Sequence, residues 1–317
     1  MKIVFLGTPE FAGICLESII NHGMEVAVVV TAPDKKKGRG QQIMSSDVKA
    51  KALKYEIPVL QPKNLKDPVF LKELKAFKAD LGVVVAFRML PAEVWDMPKL
   101  GTINLHASLL PNYRGAAPIN WAIIHGEPKT GITTFFLKQK MDTGDIILQK
   151  EVEIEESMNA GELHDLLALR GSELLIETIK TVQEKTYQLQ KQQSLISSEE
   201  ELKEAPKIFK EDCKIDWSGR VENIYNFIRG LSPYPGAWTD LVDDKGKLYT
   251  LKIYKAEKTD IESKKPSDIV TDNKKELLIG TKDSYIRILN IQLQGKQRMD
   301  IESFLRGFKF ERVSIKS

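Results

Sequence analysis

Hydrophobic positions along this chain change period several times, and each change marks an element. Lys2 to Gly7 and Glu25 to Thr31 are β-rich apolar runs, and between them Phe11, Ile14, Cys15, Ser18 and Ile19 recur at helical spacing. Thr8 reads as the N-cap of that helix, with Pro9 at its first position. Strand, helix, strand is the opening of a parallel α/β sheet. The same pattern predicts strands at Leu81 to Ala86, Thr102 to His106, Ile132 to Leu137 and Ile146 to Glu153, and helices over Ser46 to Tyr55, Pro68 to Phe77 and Pro118 to His125. A long helix is predicted over Ala160 to Glu184, where Leu163, Leu166, Leu167, Leu174, Leu175 and Ile179 form an apolar stripe. Asn159 with Glu162 three residues later resembles a capping box.

The pattern then fades. Lys185 to Pro206 is polar and helix-compatible, rich in Gln, Ser, Glu and Lys, and reads as a connection. Beyond it Val221 to Leu231 is helical, SPYPGAW is a break, and Tyr249 to Tyr254, Glu276 to Gly280 and Tyr285 to Gln292 alternate as short strands of a small barrel. The expected organisation is an α/β, Rossmann-like, mostly parallel sheet over 1–188, a linker over 189–206 and a C-terminal β-barrel domain over 207–317.

Composition narrows the class. A chain of 317 residues, 42% apolar and 29% charged, suits two domains of a soluble protein. No apolar run approaches the ~20 residues of a membrane span. The opening MKIVFLGT is strand-like and lacks a small-residue cleavage site, so a cytoplasmic protein is expected. Cys15 and Cys213 stand far apart, which argues against a disulfide framework and against a nucleophile. The histidines show no close ligand spacing, so no metal is expected. A net charge of +3 by itself says little about nucleic acid. The first strand–helix turn, GTPEFAG, carries neither G-x-G-x-x-G nor a P-loop, so no dinucleotide or nucleoside triphosphate is implied.

Chemistry concentrates between Gly101 and Asp145. Asn104 and His106 lie two residues apart in a predicted strand and so share a face, read here as one side of a sheet edge. Pro111 and Gly115 make the following loop turn-rich, and Thr143 and Gly144 allow a sharp turn that returns Asp142 towards the same strand. An amide can steady an oxyanion, an imidazole can move a proton, and a carboxylate can orient or accept one. That trio suits acyl transfer without a nucleophilic side chain.

The run N-x-H-x-SLLP-x-x-RG-x-x-P followed by D-x-G-x-I is carried by Asn104, His106, Ser108 to Pro111, Arg114, Gly115, Pro118, Asp142, Gly144 and Ile146. It resembles the signature of formyltransferases that use 10-formyltetrahydrofolate. MKIVFLGTPEFA, APDKKKGRGQQIM, KIDWSG and GKQRM extend the likeness nearly end to end, towards the branch that formylates methionyl-tRNA. The resemblance implies an oligonucleotide-binding-like C-terminal barrel, 10-formyltetrahydrofolate as co-substrate, initiator methionyl-tRNA as partner, a monomer and no membrane. It makes Asn104, His106 and Asp142 catalytic, with Asp145 a turn or solvent residue. It assigns folate contacts to Phe87, Arg88, Met89, Leu90, Ser108, Leu109, Leu110, Pro111, Thr143 and Gly144.

Phe87 and Arg88 depart from the family's commonest form, which has tyrosine and glycine there and one more residue before the proline. Arg88 is left with two readings, a folate carboxylate partner or a surface residue. The basic loop places Lys35, Lys36 and Lys37 on tRNA phosphates and Arg39 at the acceptor end. Lys207 is implied near the tRNA terminus, although a solvent lysine fits as well, and Lys296 with Arg298 would extend the basic track. Phe11 is either core or the lip of the methionine site, and the resemblance favours the methionine site. A sugar-nucleotide formyltransferase would share the trio but has no need of the basic loop.

Overall fold

The computed structural model describes residues 1–37, 42–196, 202–310 and 313–316. Two units form: Met1–Gly115 with Thr130–Glu153 and His164–Glu204, and Ala116–Lys129 with Ile154–Leu163 and Ala205–Ser317. In chain order the first elements are β1 (Lys2–Gly7), α1 (Glu10–Asn21), β2 (Glu25–Val30), β3 (Lys35–Lys37), β4 (Gln42–Met44), α2 (Asp47–Lys54), β5 (Val59–Leu60) and α3 (Pro68–Ala76). They continue with β6 (Leu81–Val85), α4 (Ala92–Trp95), β7 (Thr102–His106), β8 (Arg114–Gly115), α5 (Pro118–Ile124), β9 (Lys129–Phe136), β10 (Ile146–Glu153) and α6 (Ala160–Glu184).

Seven strands make one sheet in the order β10, β9, β7, β6, β1, β2, β5. The pairs β5–β2, β2–β1, β1–β6 and β6–β7 are parallel, while β9 runs antiparallel to β7. The expected α/β, mostly parallel sheet is therefore present. Its central strands β1, β2 and β6 are mainly apolar because both faces are covered, whereas β10 at one edge runs into exposed Lys150 and Glu151. Val4, Leu6, Val28, Val30 and Val84 pack on one side against Phe70, Leu74 and Val94. A Cβ built on Gly171 of α6 would lie 3.0 Å from Leu105, so α6 covers the other side of β7, and Thr178 of α6 is hydrogen-bonded to Thr134 of β9 at 2.8 Å.

Two local expectations are corrected. Helix α1 begins at Glu10 with Pro9 in extended conformation at the cap position and no side-chain cap, so Thr8 is not the N-cap. Strand β7 is not an edge: Asn104 pairs with Val84 on one side and Phe135 on the other. The start of α6 follows the sequence closely, with Asn159 Oδ1 accepting from Gly161 and Glu162 and the Glu162 carboxylate accepting from the Asn159 N–H.

Lys51 and Lys54 of α2 donate to the Glu17 carboxylate of α1 at 2.6 and 3.0 Å, and the Tyr55 hydroxyl adds a third bond. These donors hold the Glu17 carboxyl down at about 2. A carboxyl depressed in the folded state stabilises above its unfolded value, about 4.3, and that contribution fades as pH falls through the folded value. Glu17→Gln is expected to lower the melting temperature at pH 7 and to converge on the wild type as pH drops from 5 towards 2; thermal melts across that range check it. A gap that stays constant with pH would refute the linkage.

After β11 (Glu204–Ala205), which begins on the last residue of the first unit, the second unit, to which α5 also belongs, carries α7 (Val221–Gly230), β12 (Ala237–Asp243), β13 (Leu248–Glu262), β14 (Ile269–Thr271), β15 (Leu277–Gly280), β16 (Ser284–Leu293), β17 (Met299–Asp300), α8 (Ile301–Gly307) and β18 (Val313–Lys316). Its sheet runs β14, β15, β16, β13, β12, β18, with β17 beside β16, and its pairs are antiparallel. Register shifts along β13 between Ile253 and Glu262 bend this long strand so that the sheet curls into a barrel-like shape. Trp217, Ile224, Ile228, Leu251, Ile253, Ile286, Ile288 and Phe304 form its core. Among the described residues no helix is long and apolar enough to cross a membrane.

Candidate active site

Alternation along β7 directs Leu105 towards α6 and leaves Asn104 and His106 on the opposite face. Asn104 is half-buried, and its side chain has no hydrogen-bond partner among the described residues. His106 is 7% exposed, and its Nε2 lies 2.8 Å from the Tyr113 carbonyl oxygen. A carbonyl only accepts, so Nε2 carries the proton and Nδ1 is the nitrogen left for other work.

Asp142 arrives from the β9–β10 turn. Its Oδ2 accepts the Gly115 N–H at 3.2 Å. His106 and Asp142 therefore dock on backbone groups two residues apart, the Tyr113 carbonyl and the Gly115 amide, which brings them into one neighbourhood without a direct hydrogen bond between them. The ring orientation comes from Tyr113, not from the carboxylate. Both holding points are tight: Tyr113 has φ 60° and Asp142 φ 51°, left-handed values that Asp tolerates better than most residues. Gly144 has no room for a side chain, since a Cβ there would sit 1.6 Å from the Phe136 carbonyl oxygen.

The loop after β7 is bound to β9. Ser108 is fully buried, its hydroxyl donating to the Asn112 carbonyl at 2.7 Å and its own carbonyl accepting from Thr133 at 2.6 Å. Leu110 packs with Phe135 and Ile146, and Pro111 is buried beside it, while Leu109 is half-buried. Thr143 donates to the Lys140 carbonyl at 2.9 Å. Beyond β6, Phe87 and Leu90 pack with Val84, Val94 and Leu137, whereas Met89 is 71% exposed. The Arg88 guanidinium donates to the carbonyls of Lys63 and Pro62 at 2.9 and 2.5 Å and lies over the Phe87 ring.

Other sequence candidates fall elsewhere. Phe11 is 6% exposed and edge-on to His164 at 5.4 Å, on the α6 side of β7 near Gly171. Lys35 is exposed at the start of β3, which pairs with β4 from Lys35–Met44 to Lys37–Gln42. Arg39 lies outside the described residues, as do the side chains of Lys36 and Lys37. Lys207 is exposed with its ammonium over Phe209. Lys296 is exposed too, and Arg298 stacks on Tyr254 at 4.3 Å and bonds Asn290. Cys15 and Cys213 are buried, and burial pushes both thiols up, away from reactivity.

Sequence reasoning missed Gln192. It is 3% exposed and reaches both the Asp142 loop and Arg114. Nothing in the run Gln190 to Gln193 distinguishes it from its neighbours.

The profile of the Formyl transferase family matches residues 1–179, and that of the Formyl transferase, C-terminal domain matches residues 207–309. A methionyl-tRNA formyltransferase of Azobacteroides pseudotrichonymphae is 53% identical over 309 residues, covering 96% of this chain and 95% of its own. One from Flavobacterium johnsoniae is 50% identical over 310 residues, covering 98% and 97%. The crystal structure of HypX from Aquifex aeolicus in complex with tetrahydrofolic acid shares the fold over 98% of this chain, with a TM-score of 0.65 and 19% identity. This chain spans only 48% of that larger protein.

Proposed function

The chain belongs to the formyl transferase family, and on that premise we propose that it transfers the formyl group of 10-formyltetrahydrofolate to the amino group of methionine esterified to initiator tRNA. The observation that carries the chemistry is the partnerless, half-buried Asn104 amide on the same strand face as His106, with Asp142 tied to the backbone two residues from His106's own anchor. A polar group in that position fits an incoming oxygen acceptor.

The folate supplies an activated formyl carbon on N10. The chain's residues then divide the work. Asn104 donates its amide N–H to the formyl oxygen as negative charge grows there. His106, in its protonated form and held through Nε2–H by the Tyr113 carbonyl, donates from Nδ1–H, first as a second donor to that oxygen and then by giving the proton to N10 as it leaves; the proton collected by Asp142 passes back through solvent to restore the imidazolium. Asp142 accepts the proton shed by the attacking amine, directly or through one water. One proton leaves the amine and one reaches N10, so the exchange balances without a metal or a covalent enzyme intermediate.

Residues Phe87 to Leu90, Ser108 to Pro111, Thr143 and Gly144 are proposed to line the folate. Arg88 spends two of its five donors on the 62–63 backbone and so shapes that wall as well. Catalysis is assigned to 1–188 and tRNA contact to 207–317 with the Lys35 to Lys37 segment, Arg39, Lys207, Lys296 and Arg298. The decisive assay offers labelled formyl donor with charged initiator tRNA, elongator methionyl-tRNA or an amino-sugar nucleotide. Preference for the initiator is expected, and formylation of the sugar nucleotide alone would overturn the reading.

Arg39→Ala is expected to reduce the ratio of kcat/KM values for initiator over elongator tRNA. Replacing Lys35, Lys36 and Lys37 together should weaken binding of both tRNAs alike and flatten the log–log salt dependence by about one for each phosphate no longer neutralised. An unchanged ratio for Arg39→Ala would remove it from recognition.

A further inference from the structure

The loop that carries Asp142 is braced by a segment to which no part of the reaction has been assigned. Gln192 opens a single 3₁₀ turn, Gln192–Leu195, and is buried although Lys191, Gln193 and Ser194 around it are exposed. Its amide nitrogen donates to the carbonyls of Asp142 at 2.9 Å and Gly144 at 2.8 Å. Its oxygen accepts from Arg114 through Nε at 3.1 Å and Nη2 at 2.6 Å. A glutamine amide has two donors and two acceptor positions, so all four are in use.

These bonds close a ring. Arg114 precedes Gly115, whose N–H donates to the Asp142 carboxylate, and Asp142 returns through its carbonyl to Gln192. Gln190 adds a two-way backbone bridge to Ile146 at 2.8 and 3.0 Å, four residues past Asp142. The brace acts on a turn position with a choice: Asp142 holds a left-handed φ, a conformation open to Asp but one of several available to it, and the bonds from Gln192 fix which one is kept.

We propose that Gln192 is a positioning residue for formyl transfer: it clamps the main chain on both sides of Thr143 and, through Arg114, sets the Gly115 amide, so that the Asp142 carboxylate stands in one place at each turnover. This rests on Asp142 being the proton acceptor. Glutamate in the same place keeps the shape and the Arg114 contact but turns two donors into acceptors facing carbonyls. A displacement of about 1 Å at a reacting group costs on the order of 10²-fold in rate.

The test starts with Gln192→Glu. Its kcat should fall at least about 10-fold, while KM for the donor and the tRNA and the melting temperature stay near wild type. Gln193→Glu, an exposed neighbour with the same charge change, should behave as wild type. In single-turnover measurements on an Asp142→Asn background, Gln192→Glu should add almost nothing, because its effect passes through that carboxylate. Full additivity would make Gln192 a general stabiliser and overturn the proposal. Should Gln192→Glu not fold, Arg114→Lys keeps the charge and loses the fork. Amide exchange at Gly115 and residues 142–146 should then accelerate relative to the rest of the sheet, and unchanged exchange there would also overturn it. Wild-type activity of Asp142→Asn itself would instead overturn the proton-acceptor reading, leaving the exchange result to judge the brace alone.

Discussion

Asn104→Ala is expected to lower turnover by about 10²-fold or more, the cost of removing one oxyanion donor, with little change in affinity for the folate donor. The structure makes this a clean substitution. The backbone of Asn104 is held on both sides by Val84 and Phe135, so the strand does not depend on the side chain. The amide has no partner among the described residues, so truncation strands no buried group and adds no desolvation penalty. Loss of rate therefore reports chemistry. Single-turnover rates and donor binding by equilibrium titration separate the two, and a variant turning over near the wild-type rate would take Asn104 out of the mechanism.

Asp142→Asn is expected to slow turnover on a similar scale, since a positioned acid–base group contributes about 10²-fold or more, while Asp145→Asn leaves it near wild type. Asparagine at 142 retains an oxygen for the Gly115 N–H, so the loop anchor survives and only the proton acceptor is lost. Asp145, three residues on, instead pairs with Lys138 at 2.8 Å on the surface, an interaction worth at most about 1 kcal/mol. Steady-state kinetics on the two variants rank the acids. The reverse order would move the catalytic carboxylate to Asp145.

Legibility follows the physics of each signal. Thr102 to His106 and Ala160 to Glu184 are legible with their observed bounds, because a two-residue alternation and a long apolar stripe with its cap are local patterns. Strand β12 escapes, although Ala237, Thr239 and Leu241 are buried at alternate positions, because it follows directly on the SPYPG break and places a buried threonine where an apolar residue is expected. The β3–β4 ribbon reads only as a basic loop, its three-residue strands being too short for any period. The polar stretch after α6 is compatible with helix by composition, but its described residues form a 3₁₀ turn, Gln192–Leu195, and the short strand β11, both held by partners remote in sequence. The proposed catalytic trio is legible through its motif, while the Tyr113 and Gly115 anchors are not, since a backbone carbonyl or amide has no letter in a sequence. Gln192 is hidden for the related reason that its burial is decided by Arg114, 78 residues away.

The bridge from Gln190 to Ile146 sets where this enzyme can be cut. A fragment ending at residue 188 would contain Asn104, His106 and Asp142, and would look whole by any inventory of reacting groups. It would lack both Gln190 and Gln192, and with them every bond just described from that segment to the acid's loop. In mechanical terms the first unit extends at least through residue 192. Grafting or dissecting this module at the end of its last long helix separates the chemistry from the truss that aims it.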